Sequence, residues 1–299
     1  MFQRAKYKTS QEKDWTSIPN PVAMLKRDGA HFFLSVDTEG KPHYFSRRES
    51  VKGGFPERTS QLPHLASIKL PQYAGHTYSV ELIHTGLSKN SPESHPRSSG
   101  ILNSLAPRAI QTQADTGPVR AVLIDVINPP LSTYKAKLLH MKELEKAVGK
   151  PDVLFVDTPA ITFPDIVKLI NKTKTEGREG VIITSLTEPE QNNTRIKVKH
   201  VDHYNLRVSK VIQEVDIRGT LKPSMGALEV VDATGRVVAN VGSGFTKAER
   251  EEIWKDREKW IGELIQVKTM GLLKSEGRLR SPIFNGIADG DIDEVSAYG

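Results

Sequence analysis

The stretch "MLKRDGAHFFLSVDTEGKPHYFSRR" (residues 24–48) places a lysine just before an Asp-Gly pair and follows it with two β-rich runs. The runs flank Thr-Glu-Gly-Lys-Pro, which is typical of a turn, so they predict a β-hairpin that ends near Ser46 and Arg47. On these residues alone, Lys26 is an ordinary lysine in a strand that runs into an Asp-Gly turn. Whether it is instead a nucleophile depends on residues further along the chain.

Strands and helices alternate up to about residue 200. Strands are predicted at "TYSVELIH" (77–84), at the nearly continuous apolar run "VRAVLIDVI" (119–127) and at "VLFVDT" (153–158). Helices are predicted over 132–149, with Ser132 as the N-cap, and over 163–177, which has a proline near its start. The Ser-, Pro- and Asn-rich residues 88–99 are typical of an exposed loop. This alternation indicates a mixed α/β domain.

The pattern changes after about residue 201, where β-rich segments are separated by Gly-containing turns. One predicted helix interrupts them; it opens with Thr246 and Glu249 in capping-box spacing and ends at Gly262. Several strands with one helix are typical of a small barrel such as an OB-fold. We therefore predict a mixed α+β protein with two domains, at 1–201 and 202–299.

Composition excludes several kinds of chemistry. The 299 residues include no cysteine, which excludes disulfides, thiolate nucleophiles and cysteine-based zinc sites. The sequence has no apolar run of membrane-spanning length and no signal-peptide pattern at its start, so we expect a soluble, intracellular protein without a membrane partner.

The net charge of +6 is unevenly distributed, because residues 1–200 carry +8 and residues 201–299 carry −2. A polyanionic partner such as nucleic acid explains this excess. Ordinary surface charge that keeps a protein in solution explains it equally well.

Three further patterns follow Lys26 in order. Glu81 lies within an apolar strand, Glu179 directly precedes the buried strand "GVII", and Lys197 and Lys199 lie on the same face of a strand. Taken singly, Glu81 is a strand carboxylate paired with a lysine, and Glu179 belongs to a turn that links a helix to a strand. Lys197 and Lys199 are then the solvent-facing side of an edge strand. Those explanations do not account for the order.

In this order the residues resemble the motifs of nucleotidyltransferases that form a covalent lysyl-nucleotide, and within them the ATP-dependent DNA ligases of the minimal bacteriophage and bacterial type. The tail from "GFT" (244–246) to "LRSPIF" (279–284) is similar to the C-terminal OB domain of bacterial and bacteriophage DNA ligases. The matching motifs are K-x-D-G at Lys26–Gly29, S-R at Ser46 and Arg47, the strand glutamate Glu81, E-G-hydrophobic at Glu179–Ile182 and K-x-K at Lys197–Lys199.

The resemblance covers nearly the whole chain. It implies a nucleotidyltransferase (adenylation) domain of antiparallel sheets and helices at 1–201, followed by an OB-fold domain at 202–299. It further implies a monomeric enzyme that uses ATP to seal nicked duplex DNA in the cytoplasm of a bacterial cell or a virus-infected host cell.

The family also implies roles for individual residues. AMP would be carried covalently on Lys26, with Lys197 and Lys199 as further catalytic residues, and Mg²⁺ or Mn²⁺ would be held by Glu179 and Glu81. The nucleotide would contact Leu25, Lys26, Arg47, Glu81, Ile124, Lys197 and Lys199, and DNA would contact Arg47, Arg48 and His31. A free lysine with a pKa of about 10.4 is almost entirely protonated at pH 7, so a nucleophilic lysine needs neighbouring cations or desolvation.

The chain departs from the family pattern at several positions. The first motif usually ends in arginine where this chain has His31, an aromatic residue often stacks on adenine where it has Ile124, and a lysine often ends the E-G motif where it has Thr184. The basic residues that usually follow P-x-F are absent from "FNGIADGD" (284–291). Either nearby cations such as Arg278 and Arg280 replace them, or self-adenylylation is slow.

Two alternatives remain at this point. An RNA ligase or an mRNA-capping guanylyltransferase uses the same lysine chemistry, although the L-R-x-P-x-F tail favours a DNA ligase. A nick-binding protein that has lost catalysis fits the departures from the family pattern.

Overall fold

The computed structural model describes residues 7–9, 15–51, 53–86, 95–189, 195–273 and 277–295. The chain divides into two compact units, one that ends at Lys199 and one that begins at His200. Each unit has its own hydrophobic core. No helix in the described part of the chain is long and apolar enough to cross a membrane.

The first unit contains two sheets with helices packed against them. Its strands are β1 (Tyr7–Thr9), β2 (Pro21–Leu25), β3 (Ala30–Val36), β4 (Pro42–Ser46), β5 (Thr77–Ile83), β6 (Arg120–Asn128), β7 (Leu154–Val156), β8 (Gly180–Ser185) and β9 (Arg195–Lys199). Its helices are α1 (Pro63–Ala66), α2 (His95–Asn103), α3 (Ala106–Thr116), α4 (Tyr134–Val148) and α5 (Phe163–Thr175).

The larger sheet has the strand order β4-β3-β5-β6-β7, and its pairs are antiparallel except β6 with β7. Alternate residues of its strands, including Leu34, Tyr44 and Tyr78, are fully buried in the core of the unit. Because side chains alternate between the faces of a strand, His31 and Glu81 lie together on the opposite face. The apolar alternation thus leaves one face of this sheet for polar residues.

The smaller sheet has the order β1-β9-β8-β2. One of its faces packs on α5 through a small core of Ala23, Ile166, Val181 and Ile183. By the same alternation, the three basic residues of β9, which are Arg195, Lys197 and Lys199, lie on its other face.

The second unit is rich in β-structure. Its elements are β10 (Asp202–Val215), β11 (Leu221–Val231), β12 (Val237–Val241), α6 (Lys247–Lys255), α7 (Arg257–Trp260), β13 (Leu264–Thr269), β14 (Leu272–Leu273), β15 (Arg278–Leu279) and β16 (Ile283–Ile287). The main sheet has the order β12-β11-β10-β13-β16. The Phe284 N–H in β16 donates to the carbonyl oxygen of Ser243, just past β12, at 2.9 Å. The two edge strands therefore meet, and the sheet closes towards a barrel.

The structure corrects the predicted loop at 88–99. Residues 95–99 belong to α2, while 88–94 lie outside the described residues. Ile101 and Leu102 of this helix are buried in the core of the unit, and such tertiary burial outweighs the weak helix propensity of its Ser- and Pro-rich start.

Two helix boundaries also differ from the prediction. The N-cap of α4 is Thr133 rather than Ser132, because the Thr133 hydroxyl accepts a hydrogen bond from the Ala136 N–H at 3.2 Å. The predicted helix that ends at Gly262 is instead two helices, α6 and α7, which meet at Asp256. The capping box of Thr246 and Glu249 at the start of α6 is present as predicted.

Candidate active site

Lys26 and Glu179 are brought together by the pairing of β2 with β8. Leu25, the last residue of β2, lies opposite Val181, and the Lys26 N–H donates to the Gly180 carbonyl oxygen at 2.9 Å. The side chains of Lys26 and Glu179 therefore leave neighbouring strands at the same end of the sheet, and Lys26 Nζ donates to Glu179 Oε2.

Lys199 approaches the same carboxylate from β9. Its Nζ lies 3.1 Å from Glu179 Oε1, so each oxygen of Glu179 has a lysine partner. Burial opposes ionisation of Glu179, but the charges and hydrogen bonds of Lys26 and then Lys199 outweigh it and hold the pKa of Glu179 below its usual value. We call Lys26, Glu179 and Lys199 the Glu179 cluster.

The glycines of two motifs are explained by close backbone contacts. A Cβ added to Gly29 would lie 2.4 Å from the Leu82 carbonyl oxygen, and one added to Gly180 would lie 2.0 Å from that of Val198. Gly180 also has a φ of +134°, which side chains rarely adopt. The glycines of K-x-D-G and E-G therefore let the chain approach its neighbours where the Glu179 cluster forms.

Glu81 adds a second carboxylate beside this cluster. It accepts a hydrogen bond from the Gly29 N–H at 3.1 Å. Burial raises the pKa of Glu81 to about 8; the charge of Lys26 opposes this rise, while the carboxylates of Glu179 and Asp28 add to it. Glu81 is therefore largely protonated at neutral pH.

His31 and Arg47 extend from Glu81 along one row of the larger sheet. His31 lies opposite Glu81 on β5, and Phe32 lies opposite Ser46 on β4, so Arg47 follows on the other side of His31. The His31 ring shares a hydrogen bond with the Ser79 hydroxyl, with Nε2 and Oγ 2.5 Å apart. The residue that stands in place of the expected arginine is thus held against the same sheet face as Glu81.

The other predicted site residues do not belong to the Glu179 cluster. Lys197 is half-buried on β9, on the same face as Lys199. Leu25 is half-buried at the end of β2, and Arg48 is exposed just beyond β4. Ile124 is half-buried at a bulge in β6, where the register with β5 shifts.

A second ion cluster was not predicted from the sequence. Asp125 on β6 binds Lys137 of α4 at 2.9 Å through Oδ1 and Arg195 of β9 at 3.0 Å through Oδ2. All three side chains are buried, and the Arg195 guanidinium lies over the Tyr134 ring. These residues, which we call the Asp125 cluster, tie the larger sheet to the smaller one.

Asp125 itself, within the apolar run 119–127, was the feature of the sequence that could have indicated this cluster, since an aspartate in a buried strand requires a partner. Arg195 also lies next to Thr184, where the chain departs from the family pattern. Ile183 pairs with Ile196, so Thr184 and Arg195 are the next residues along these antiparallel strands. Thr184 is fully buried, and the cation beside it is Arg195 of β9.

Arg27, the residue after the candidate nucleophile, is also fixed. Its Nε lies 2.8 Å from Asp157 Oδ2, and its Nη2 contacts the other carboxylate oxygen of Asp157. The guanidinium lies over the Phe155 ring, 5.5 Å from its centroid. This two-point ion pair fixes the backbone next to Lys26, and the K-x-D-G pattern gives no sign of it.

The acidic side chains near the Glu179 cluster decide whether a divalent cation can bind there. Within the described ranges, no group of three or more His, Cys, Asp or Glu side chains is placed to hold a metal ion. Glu81 and Glu179 nevertheless form a pair of carboxylates that repel each other. Mg²⁺ takes one or two carboxylates together with phosphate oxygens and water, so this pair fits such an ion when a nucleotide is bound.

Comparison with known proteins identifies the second unit and the fold. Residues 218–287 match the family model of the DNA ligase OB-like domain. A structure from a structure–function study of Lig E DNA ligases, concerned with DNA binding by a minimal scaffold, is 18% identical with a TM-score of 0.63 over 96% of this chain and 98% of its own. The structure named Pmar-Lig_PreS3 is also 18% identical, with a TM-score of 0.59 over 95% of this chain and 67% of its own. No curated protein sequence matches.

These findings confirm the predicted fold class. The first unit has the mixed architecture of antiparallel sheets and helices, and the second is an OB-like domain. They also agree with the resemblance of the motifs to DNA ligases.

Proposed function

We propose that this protein is an ATP-dependent DNA ligase that seals nicks in duplex DNA through a lysyl-AMP and then a DNA-adenylate. The observation that carries this proposal is the Glu179 cluster, in which three separate motifs meet in one set of ion pairs. The OB-like match over 218–287 and the ligase fold support it.

In the first step, the Lys26 amine attacks the α-phosphorus of ATP. A nitrogen–phosphorus bond forms, the bond to the bridging oxygen breaks, and pyrophosphate leaves. Lys26 Nζ donates to Glu179, so it must give up this partner and its proton before it attacks. Lys199, with Lys197 on the same strand face, then stabilises the charge that develops on the α-phosphate.

A divalent cation, Mg²⁺ or Mn²⁺, supplies further neutralisation of phosphate charge when it is bound. Glu179 and Glu81 are the residues that would hold it, which agrees with their proximity and their oxygen donors. Glu81 must be ionised for this role, or to accept a hydrogen bond from a ribose hydroxyl.

In the second step, the AMP passes from Lys26 to the 5′-phosphate of the nick, which regenerates the lysine. In the third step, the 3′-hydroxyl attacks that phosphate and expels AMP. The excess of +8 in residues 1–200 suits binding of the duplex backbone by a monomer, and Arg47, Arg48 and His31 are the residues that we assign to DNA.

Labelling with nucleotide tests the first step. The purified protein is incubated with ATP labelled at the α-phosphate and with Mg²⁺, and we expect retained label from ATP but not from labelled GTP. Lys26→Ala should retain none, while the control Lys69→Ala, which removes an exposed lysine, should match the unaltered protein. Glu179→Gln should lower the rate about 100-fold, as expected for loss of one electrostatic contact in an active site.

Nicked substrates then test the polymer. We expect sealing of a nicked DNA duplex and not of a nicked RNA duplex. Label from GTP would identify a capping guanylyltransferase, sealing of RNA alone would identify an RNA ligase, and a protein that binds nicks without taking label would be a binding module. Each of these outcomes contradicts the proposal.

A further inference from the structure

Two histidines and a tyrosine meet at the start of β5. His76 directly precedes this strand, Tyr78 lies within it, and His140 lies on α4. Tyr78 and Glu81 are three residues apart on β5, so their side chains point to opposite faces of the sheet. This His-Tyr cluster is therefore separate from the candidate active site.

The three polar atoms of the His-Tyr cluster form a nearly regular triangle. Tyr78 Oη lies 3.1 Å from His76 Nδ1 and 3.0 Å from His140 Nε2, and the two nitrogens are 3.3 Å apart. In a tetrahedral zinc site with bonds of about 2.0–2.1 Å, two ligand atoms are about 3.3 Å apart. The triangle has the dimensions of one face of such a site.

Without a metal ion, the phenol can donate to one imidazole nitrogen and accept from the N–H of the other, which holds the three atoms together. The two imidazole nitrogens lie 3.3 Å apart, so all three possible ligand atoms already converge on one point.

The surroundings hold these ligands in place and leave access from one side. Tyr78 is fully buried, whereas His76 and His140 are half-buried. The Tyr73 ring packs edge-on against both imidazoles, with centroid distances of 5.6 and 5.8 Å. A metal ion can therefore enter along the histidines and keep a water molecule as its fourth ligand.

We propose that His76, Tyr78 and His140 bind one divalent transition-metal ion, with Zn²⁺ as the best match. Imidazole nitrogens favour Zn²⁺, Cu²⁺ and Ni²⁺, whereas Mg²⁺ favours oxygen ligands. On binding, a metal–oxygen bond forms and the Tyr78 phenol loses its proton to solvent. The ion joins β5 to α4, about 10 Å along the strand from Glu81, and braces the strand that carries that carboxylate.

Calorimetry tests this site on the full chain after metals are removed with a chelator. Zn²⁺ is titrated in excess Mg²⁺, which keeps oxygen-ligand sites occupied. We expect one ion per chain, a rise in Tm and release of a proton. His76→Gln and His140→Gln should each weaken binding at least tenfold, while the control His203→Gln, which alters an exposed histidine of the second unit, should change nothing.

Cobalt and two further variants complete the test. Co²⁺ should give the strong visible absorption of tetrahedral coordination, and both histidine variants should lose it. Tyr78→Phe should bind Zn²⁺ more weakly without releasing the phenol proton, and Lys26→Ala should bind Zn²⁺ as the unaltered protein does, so the result does not depend on ligase activity. Absence of saturable binding, or binding of one ion unaffected by both histidine variants, would overturn the proposal.

Discussion

Two ion clusters in the first unit have the same composition, one carboxylate held by two cations, yet differ in their access to solvent. In the Glu179 cluster the lysine side chains keep exposures of 18% and 27%. In the Asp125 cluster the two cations keep only 11% and 3%. A phosphate can therefore replace the carboxylate as a partner of the first pair of cations, but it cannot reach the second pair.

The neighbourhood of the two carboxylates differs as well. Glu179 has a second carboxylate nearby, Glu81, whose raised pKa reflects burial together with the negative charge around it. Asp125 has its two cations and, through Arg195, an aromatic ring. Incomplete neutralisation is typical of functional sites, whereas a closed and paired set of charges serves to position chain segments. Two carboxylates that are each held by two cations thus take different roles, according to their exposure to solvent and to whether a second carboxylate lies nearby.

The largest predicted effect is a difference between the two clusters in how much stability is lost when the carboxylate is removed. Asp125→Ala should lower the free energy of unfolding by about 3–5 kcal/mol, because it removes the one carboxylate that neutralises two buried cations. Denaturation by urea measures this loss. The matched variant Glu179→Ala should lose clearly less, since the partly exposed side chains of Lys26 and Lys199 can turn towards water. Equal losses in the two variants would show that exposure does not distinguish the clusters.

The Glu179 cluster could be predicted from the sequence because each of its members lies in a recognisable motif. Those motifs occur at strand ends, where Lys26 and Glu179 meet through simple strand pairing. The Asp125 cluster could not be predicted in the same way. Lys137 lies in a predicted helix, and Arg195 lies just before the K-x-K motif. No periodic pattern in the sequence links Asp125 on its strand to a partner on a helix or on another sheet.

A similar limit applies to the fold. The hairpin of β3 and β4, the buried strand β6 and helix α5 were predicted because their patterns are local. Helix α2 was missed because its burial, and not its composition, stabilises it. The raised pKa of Glu81 could not be predicted either, since burial and the carboxylates of Glu179 and Asp28, which are distant in sequence, produce it.

A pH titration of stability should sharpen the comparison with a smaller effect. The pKa of Glu81 rises from 4.5 to about 8 on folding, so the folded protein holds a proton that the unfolded chain releases in this range. The contribution of Glu81 to stability is therefore complete below pH 4.5 and is lost as the pH rises towards about 8. Glu179 changes stability in the opposite direction with pH. Because its pKa is lowered on folding, its contribution to stability is present at neutral pH and is lost as the pH falls into the acid range.

Glu81→Gln should flatten the decline in stability between pH 5 and pH 8, measured by urea denaturation without metal or nucleotide. The control Glu251→Gln, an exposed residue of α6, should keep the profile of the unaltered protein. A constant difference between the unaltered protein and Glu81→Gln across this range would show that Glu81 is not held protonated by its surroundings.

The smallest effect should come from replacing all of the Asp125 cluster at once. The triple variant Asp125→Leu, Lys137→Met, Arg195→Met removes all three charges of the Asp125 cluster together, and such replacements are often neutral or stabilising. We expect its free energy of unfolding to lie within about 2 kcal/mol of the unaltered protein, well above that of Asp125→Ala. It should also still take label from ATP.

Labelling of the triple variant tests whether the Asp125 cluster contributes to the candidate active site only by fixing the position of β9. Arg195 lies two residues before Lys197 on the same face of β9, so the cluster fixes the strand that carries Lys197 and Lys199. If apolar packing can fix β9 as well as the ion pairs do, labelling survives the triple variant. If the folded triple variant takes no label, the charges themselves contribute to the site, because the same strand would then be present without the field that Arg195 and Asp125 supply.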